Sequence, residues 1–128
     1  MKLKGRILLF DKVNKNGVAF SKTCKVHIPE KLPLLWNYKE PIGIAEATID
    51  DSGIFASAEI HEDSCYDPYI NEITKNGMMP VGGEYYVAET HIDDKNTIID
   101  KATLSAVSLI SNPACDSCSF EIIKEKEE

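Results

Sequence analysis

The stretch Ile42-Gly43-Ile44-Ala45-Glu46-Ala47-Thr48-Ile49, Asp50-Asp51-Ser52-Gly53, Ile54-Phe55-Ala56-Ser57-Ala58-Glu59-Ile60 is the clearest β-hairpin in the chain. In its second half Phe55, Ser57 and Glu59 alternate against Ile54, Ala56, Ala58 and Ile60. A period of two puts one set on each face of a pleated strand, so one face is apolar. The four residues between the halves are turn formers, which joins the two strands directly.

The same grammar extends to both sides. Toward the N-terminus, Leu34–Trp36 reads as a short strand after Pro29 and Pro33, and Cys24–Ile28 and Val18–Phe20 read as short extended pieces. Asn14-Lys15-Asn16-Gly17 is a turn in which Gly17 can take positive φ, and Leu3–Phe10 is the first strand. Toward the C-terminus, one helix is predicted. Asp67-Pro68 offers an N-cap followed by proline at the first helical position, Tyr69, Ile70 and Ile73 have helical spacing, and Gly77 can end it. Tyr85–Ile92, the turn Asp93-Asp94-Lys95-Asn96, and Thr97–Ile99 form a second hairpin. Leu104–Ile110 is strongly apolar and reads as a central strand ended by Asn112-Pro113, and Phe120–Ile123 is the last strand. About seven strands and one helix predict a β-rich α+β fold: a barrel or curved antiparallel sheet with one or more packed helices.

The 128 residues suit one domain, placed at 1–123, with 124–128 as a charged tail. No apolar run approaches a membrane span. The N-terminal Met1–Lys12 lacks the long apolar region of a signal peptide, so the chain is expected inside the cell that makes it, with Cys24, Cys65, Cys115 and Cys118 as reduced thiols. Net charge is −7 and uneven: residues 1–50 carry nine Lys/Arg against five Asp/Glu, residues 51–128 five against sixteen. That acidity argues against nucleic acid as a partner, and the asymmetry suits contacts between unlike faces of subunits.

Three segments carry a resemblance. The first is Leu34-Leu35-Trp36-Asn37-Tyr38-Lys39-Glu40-Pro41-Ile42-Gly43 with the hairpin that follows. The second is Lys75-Asn76-Gly77, then Met78-Met79-Pro80-Val81-Gly82-Gly83. The third, and most specific, is Leu104-Ser105-Ala106-Val107-Ser108-Leu109-Ile110-Ser111-Asn112-Pro113-Ala114. In order and spacing they resemble the prohead (capsid maturation) serine proteases of tailed phages, relatives of the herpesvirus assemblins. The resemblance implies a prohead-protease-like barrel. It places the catalytic histidine of the family at Tyr38 (Asn37 after a one-residue slip), the serine at Pro80 (or Val81), and the acidic residue at Ala106.

Acyl transfer by serine needs a hydroxyl nucleophile, a base to take its proton and a group to orient the base. Pro80 and Val81 have no hydroxyl, a tyrosine titrating near pH 10 is a poor base, and Ala106 can orient nothing. The expected protein is therefore a pseudoprotease: a capsid-associated structural, decoration or assembly protein, present in the host cytoplasm during assembly and then in the virion. Its expected partners are the major capsid protein or other virion proteins, with a homo-oligomer as a further possibility and no nucleic acid, membrane or cofactor.

Two alternatives stay open. One is an active maturation protease with a rearranged or partner-supplied site, drawing on Ser105, Ser108 or Ser111 and on His27, His61 or His91. The other is a zinc-stabilised adaptor, with Cys24 and His27 (C-x-x-H) and Cys115 and Cys118 (C-x-x-C) as candidate ligands. Cys24 and His27 point to opposite faces of a regular strand and need a turn to converge. Asp50–Gly53 is too short for a calcium loop and Gly82-Gly83 too little for a phosphate loop. Trp36, Tyr66, Tyr69, Tyr85 and Tyr86 suit core packing or an interface anchor.

Overall fold

A computed structural model describes residues 2–61, 78–110 and 118–123. All eight elements there are strands: β1 (Lys2–Leu9), β2 (Val18–His27), β3 (Leu32–Trp36), β4 (Glu40–Ile49), β5 (Gly53–Ile60), β6 (Met78–Asp93), β7 (Asn96–Leu109) and β8 (Ser119–Ile122). They form one sheet in the order β2-β7-β3-β4-β5-β1-β8-β6, and β6 also pairs with β7. That last pairing closes seven strands into a barrel, with β2 left outside the ring. The expected α+β class with packed helices is thus corrected to a closed β-barrel, all-strand among the described residues. The helix predicted from Asp67 to Gly77 lies outside them.

The opening hairpin forms as its pattern predicts. Ala45 faces Ala58, Ala47 faces Ala56 and Ile49 faces Ile54 across β4 and β5. Ile54, Ala56, Ala58 and Ile60 are buried, while Ser57 and Glu59 are exposed. The Asp50 carboxylate makes the turn by accepting from the Ser52 and Gly53 amides at 2.8 and 3.0 Å. It also takes Arg6 Nη1 at 2.7–2.8 Å, and the Arg6 guanidinium lies 5.6 Å from the Phe55 ring centre. The turn thereby ties the hairpin to β1, its antiparallel neighbour.

The Asn14–Gly17 turn is likewise as expected. Gly17 has φ of 73°, and Asn14 Oδ1 accepts from the Asn16 and Val18 amides. The two short pieces predicted over 18–28 are two pairing runs of the single strand β2. They are separated by an irregularity at Ser21-Lys22-Thr23-Cys24, where Phe20 pairs with Ile99 but Lys25 with Lys101. At the second hairpin Asp94 and Lys95 both have positive φ, 47° and 70°, as a tight turn matching the strand twist requires.

Thr97–Ile99 and Leu104–Ile110 belong to one long strand, β7, rather than two. Asp100-Lys101, between the two predicted pieces, is carried on the surface of the sheet: Asp100 binds His91 across the hairpin at 2.6 Å and Lys101 is exposed. Length lets β7 serve two regions. Its first half pairs in parallel with β2 and its last residues pair in parallel with β3, while β6 runs antiparallel along its other side.

Two cores follow. Inside the barrel Leu3, Leu34, Ile54, Val81, Leu104 and Phe120 are fully buried. A smaller cluster of Phe20, Ile99 and Ala102 lies beneath the β2–β7–β6 extension.

Candidate functional site

Leu34–Trp36, Met79–Gly83 and Ala106–Leu109, far apart in sequence, lie on adjacent strands. The end of β7 runs between β3 and β6: Leu109 faces Trp36 on one side and Val81 on the other, Ser108 faces Gly82, and Ala106 faces Glu84. Backbone bonds continue the junction past the strand ends, from Asn37 N–H to Leu109 C=O at 2.8 Å and from Ile110 N–H to Pro80 C=O at 3.0 Å. The three segments that carry the resemblance therefore share one place in the fold.

Tyr38, Pro80 and Ala106 occupy that place. Tyr38 sits in the β3–β4 turn at φ 61°, next to Asn37 at 48°. This left-handed pair is unfavourable for residues with side chains, and the turn is held by Ser108, whose Oγ accepts the Tyr38 N–H at 2.9 Å. Burial pushes the Tyr38 phenol above its ordinary range, and the nearby Glu84 carboxylate adds to the shift, so the group stays neutral at pH 7. Pro80 contributes its carbonyl to β7. Ala106 is buried, as is Val81.

The serines are engaged elsewhere. Ser108 is fully buried, and its hydroxyl lies 3.0 Å from Leu109 C=O and 3.3 Å from Leu35 C=O as well as taking the Tyr38 amide. The Ser105 hydroxyl donates to Glu84 C=O at 3.0 Å, with Glu84 Oε1 at 3.5 Å. Ser111 lies outside the described residues. His27 and His61 are exposed, and His91 pairs with Asp100 on the far hairpin. Among the described residues, no hydrogen bond joins a serine to a histidine.

Gly82 and Gly83 have a packing explanation that sequence reasoning missed. A Cβ on Gly82 would stand 2.7 Å from the Tyr38 hydroxyl, and one on Gly83 would stand 2.6 Å from that of Tyr85. Successive residues of a strand face opposite ways, so each glycine vacates one face of β6 for one tyrosine. The only sequence signal is the Gly-Gly pair within a strand pattern, which marks close approach by something. Tyr85 also packs on Phe20, with ring centres 4.6 Å apart, and burial drives its phenol far above its ordinary range. Among the described residues its buried hydroxyl has no hydrogen-bond partner. Beside it lies a largely apolar cavity of about 500 Å³ between the end of β1 and β6, bounded by Ile7, Phe20, Tyr38, Gly82, Tyr85 and Ile99.

The other expectations resolve residue by residue. Cys118 is fully buried and disulfide-bonded to a cysteine outside the described residues, which corrects the expectation of four reduced thiols and removes it as a metal ligand. Cys24 is a free thiol whose pKa is raised by burial and then by Asp100. His27 is on the same strand, and Cys115 lies outside the described residues. No group of three or more His, Cys, Asp or Glu able to hold a metal occurs among the described residues. Trp36 belongs to the barrel core, Tyr85 packs against both clusters, and Tyr86 is 71% exposed. Tyr66 and Tyr69 lie outside the described residues.

Comparison of the chain with protein-family models, curated proteins and solved structures gave no match. The junction itself offers a tyrosine-flanked apolar cavity and a rigid three-strand frame. That arrangement can bind an apolar group and hold its surface fixed.

Proposed function

We propose that the chain is a non-catalytic protein built on a prohead-protease-like barrel, acting in a tailed-phage capsid as a structural, decoration or assembly component. One observation carries the reading: the described parts of the three segments of the resemblance meet at the β3–β7–β6 junction, and Tyr38, Pro80 and Ala106 are the residues to which the resemblance assigns the catalytic positions. A scaffold that keeps the frame and lacks the reacting groups retains surfaces for its partners. The nearest serine hydroxyls already hold the Tyr38 turn and the β6–β7 ladder.

The test has two parts. A serine-directed fluorophosphonate is incubated with the purified chain, and the expected result is an unmodified, intact mass. Quantitative mass spectrometry of mature particles from the source is then expected to find the chain at a fixed ratio to the major capsid protein. Covalent labelling, or capsid-protein trimming that depends on this chain, would overturn the non-catalytic reading. Absence from both mature particles and assembly intermediates would overturn the capsid role.

A further inference from the structure

Among the described strands, the β2–β7–β6 extension leaves two edges open. β8 covers β6 only from Met78 to Pro80, with one further bond from the Val81 amide to Cys118 C=O. Beyond that, β6 pairs with β7 alone among the described strands, and its residues from Tyr86 to Asp93 are all exposed. Tyr86 is 71% exposed, Val87 47% and Ile92 70%. On the opposite side of β7, the outer edge of β2 is covered only in its first half, where Val18 and Phe20 carbonyls accept from the Asn14 and Asp11 amides. From Lys25 to His27, β2 pairs with β7 alone among the described strands.

The two edges carry opposite charge. β2 contains Lys22 and Lys25 and no carboxylate, whereas β6 contains Glu84, Glu89 and Asp93 and no Lys or Arg. Their registers also match. Through β7, His27 is level with Thr103 and Tyr86, Val26 with Ala102 and Val87, and Lys25 with Lys101 and Glu89. A second copy continuing the sheet would place its Lys25 beside Glu89 and its Val26 beside Val87. β2 runs parallel to β7 and β6 antiparallel to it, so the new pair is antiparallel.

We infer that this chain associates with further copies of itself head to tail, by pairing the β6 edge of one copy with the β2 edge of the next. An open strand edge is a template for another strand, and here each edge finds its complement on an identical molecule. Pairing β6 with β6 sets carboxylates against carboxylates, which charge repulsion disfavours. An interface between unlike edges does not close on itself at two copies, so it builds rings or filaments. This inference rests on the strand edges and their charges, not on the capsid reading.

Analytical ultracentrifugation of the whole chain tests it. The wild type is expected to associate beyond dimers as its concentration rises at low ionic strength, and less so at high salt. K25E and E89K substitute exposed residues, so each is expected to keep its melting temperature while weakening association at least about tenfold. An equimolar mixture of the two variants is expected to associate again, because each acidic edge then meets a basic one. A wild type that stays monomeric or stops at dimers overturns the inference. So does association that K25E and E89K leave unchanged, or a mixture that fails to recover it.

Discussion

The barrel and the β2–β7–β6 extension are made from the same kind of strand, yet they end in opposite conditions. In the barrel, every strand of the ring has a neighbour on each side, and Leu3, Leu34, Ile54, Leu104 and Phe120 are fully buried. In the extension three strands cover a cluster centred on Phe20, Ile99 and Ala102, while Tyr86, Val87 and Ile92 face solvent. β6 and β7 run through both regions, so strand propensity cannot explain the difference. Closure explains it: a closed ring has an inside for apolar side chains, and an open ribbon has one covered face and two edges.

The sharpest way to break the comparison is truncation in each region. Phe120→Ala empties a site in the barrel core and is expected to cost about 3–5 kcal/mol in urea unfolding. Ile92→Ala on the extension is expected to change stability by no more than about 0.5 kcal/mol. Equal losses would mean that the extension has a hidden core.

A glycine pair probes the same contrast at backbone level. A Cβ on Gly43 would lie 2.0 Å from the Glu59 carbonyl oxygen, so two barrel strands would have to separate. Gly43→Ala is expected to lose about 3 kcal/mol or more. Gly82→Ala meets the ends of two side chains, the half-exposed Tyr38 at 2.7 Å and Ile110 Cδ1 at 3.2 Å, which can shift where a backbone carbonyl cannot. Its expected loss is about 1 kcal/mol or less. A Gly82→Ala loss matching that of Gly43→Ala would show that the Tyr38 turn is as rigid as the barrel wall.

Where the two regions meet, the Tyr85 hydroxyl is buried with no hydrogen-bond partner among the described residues. Tyr85→Phe removes that group and keeps the ring on Phe20, so thermal unfolding is expected to shift upward, by about 1 kcal/mol. A fall in stability would show that the hydroxyl is satisfied by water in solution.

The smallest effect is the tie between the barrel hairpin and β1. The Arg6 hydrogen bond, helped by the Ser52 and Gly53 amides, holds the Asp50 carboxyl below its ordinary value. A lowered folded-state pKa contributes stability that is present above the ordinary carboxylate range and is lost as pH falls through the folded value. Asp50 is solvent-exposed, so the contribution is small and screened. In an NMR titration Asp50 is expected to protonate below the ordinary carboxylate range, and Arg6→Ala to move it toward the ordinary value. No movement would assign the shift to the turn amides alone.

Much of the segmentation was legible in the sequence. The alternation of Ile54–Ile60, the Asn14–Gly17 turn with Gly17 at positive φ, and the Asp93–Asn96 turn all concern residues a few positions apart. The strands read at Thr97–Ile99 and Leu104–Ile110 are one strand in the fold, because the charged pair Asp100-Lys101 between them lies on the sheet surface and does not interrupt it. At the candidate site the three quoted segments fall on adjacent strands, but nothing in them revealed that Ser108 holds the Tyr38 turn. That bond spans 70 positions.

The sequence by itself determined where strands run, which way their side chains alternate and where the chain turns, because period and turn chemistry are local. Only the tertiary structure decided that β6 meets β7 to close the ring, and that β7 takes β2 and β3 in turn along one side. It also decided that Gly82 makes room for Tyr38 of the β3–β4 turn. Each of these depends on partners supplied by distant segments, and alternation alone does not say which strand pairs with which.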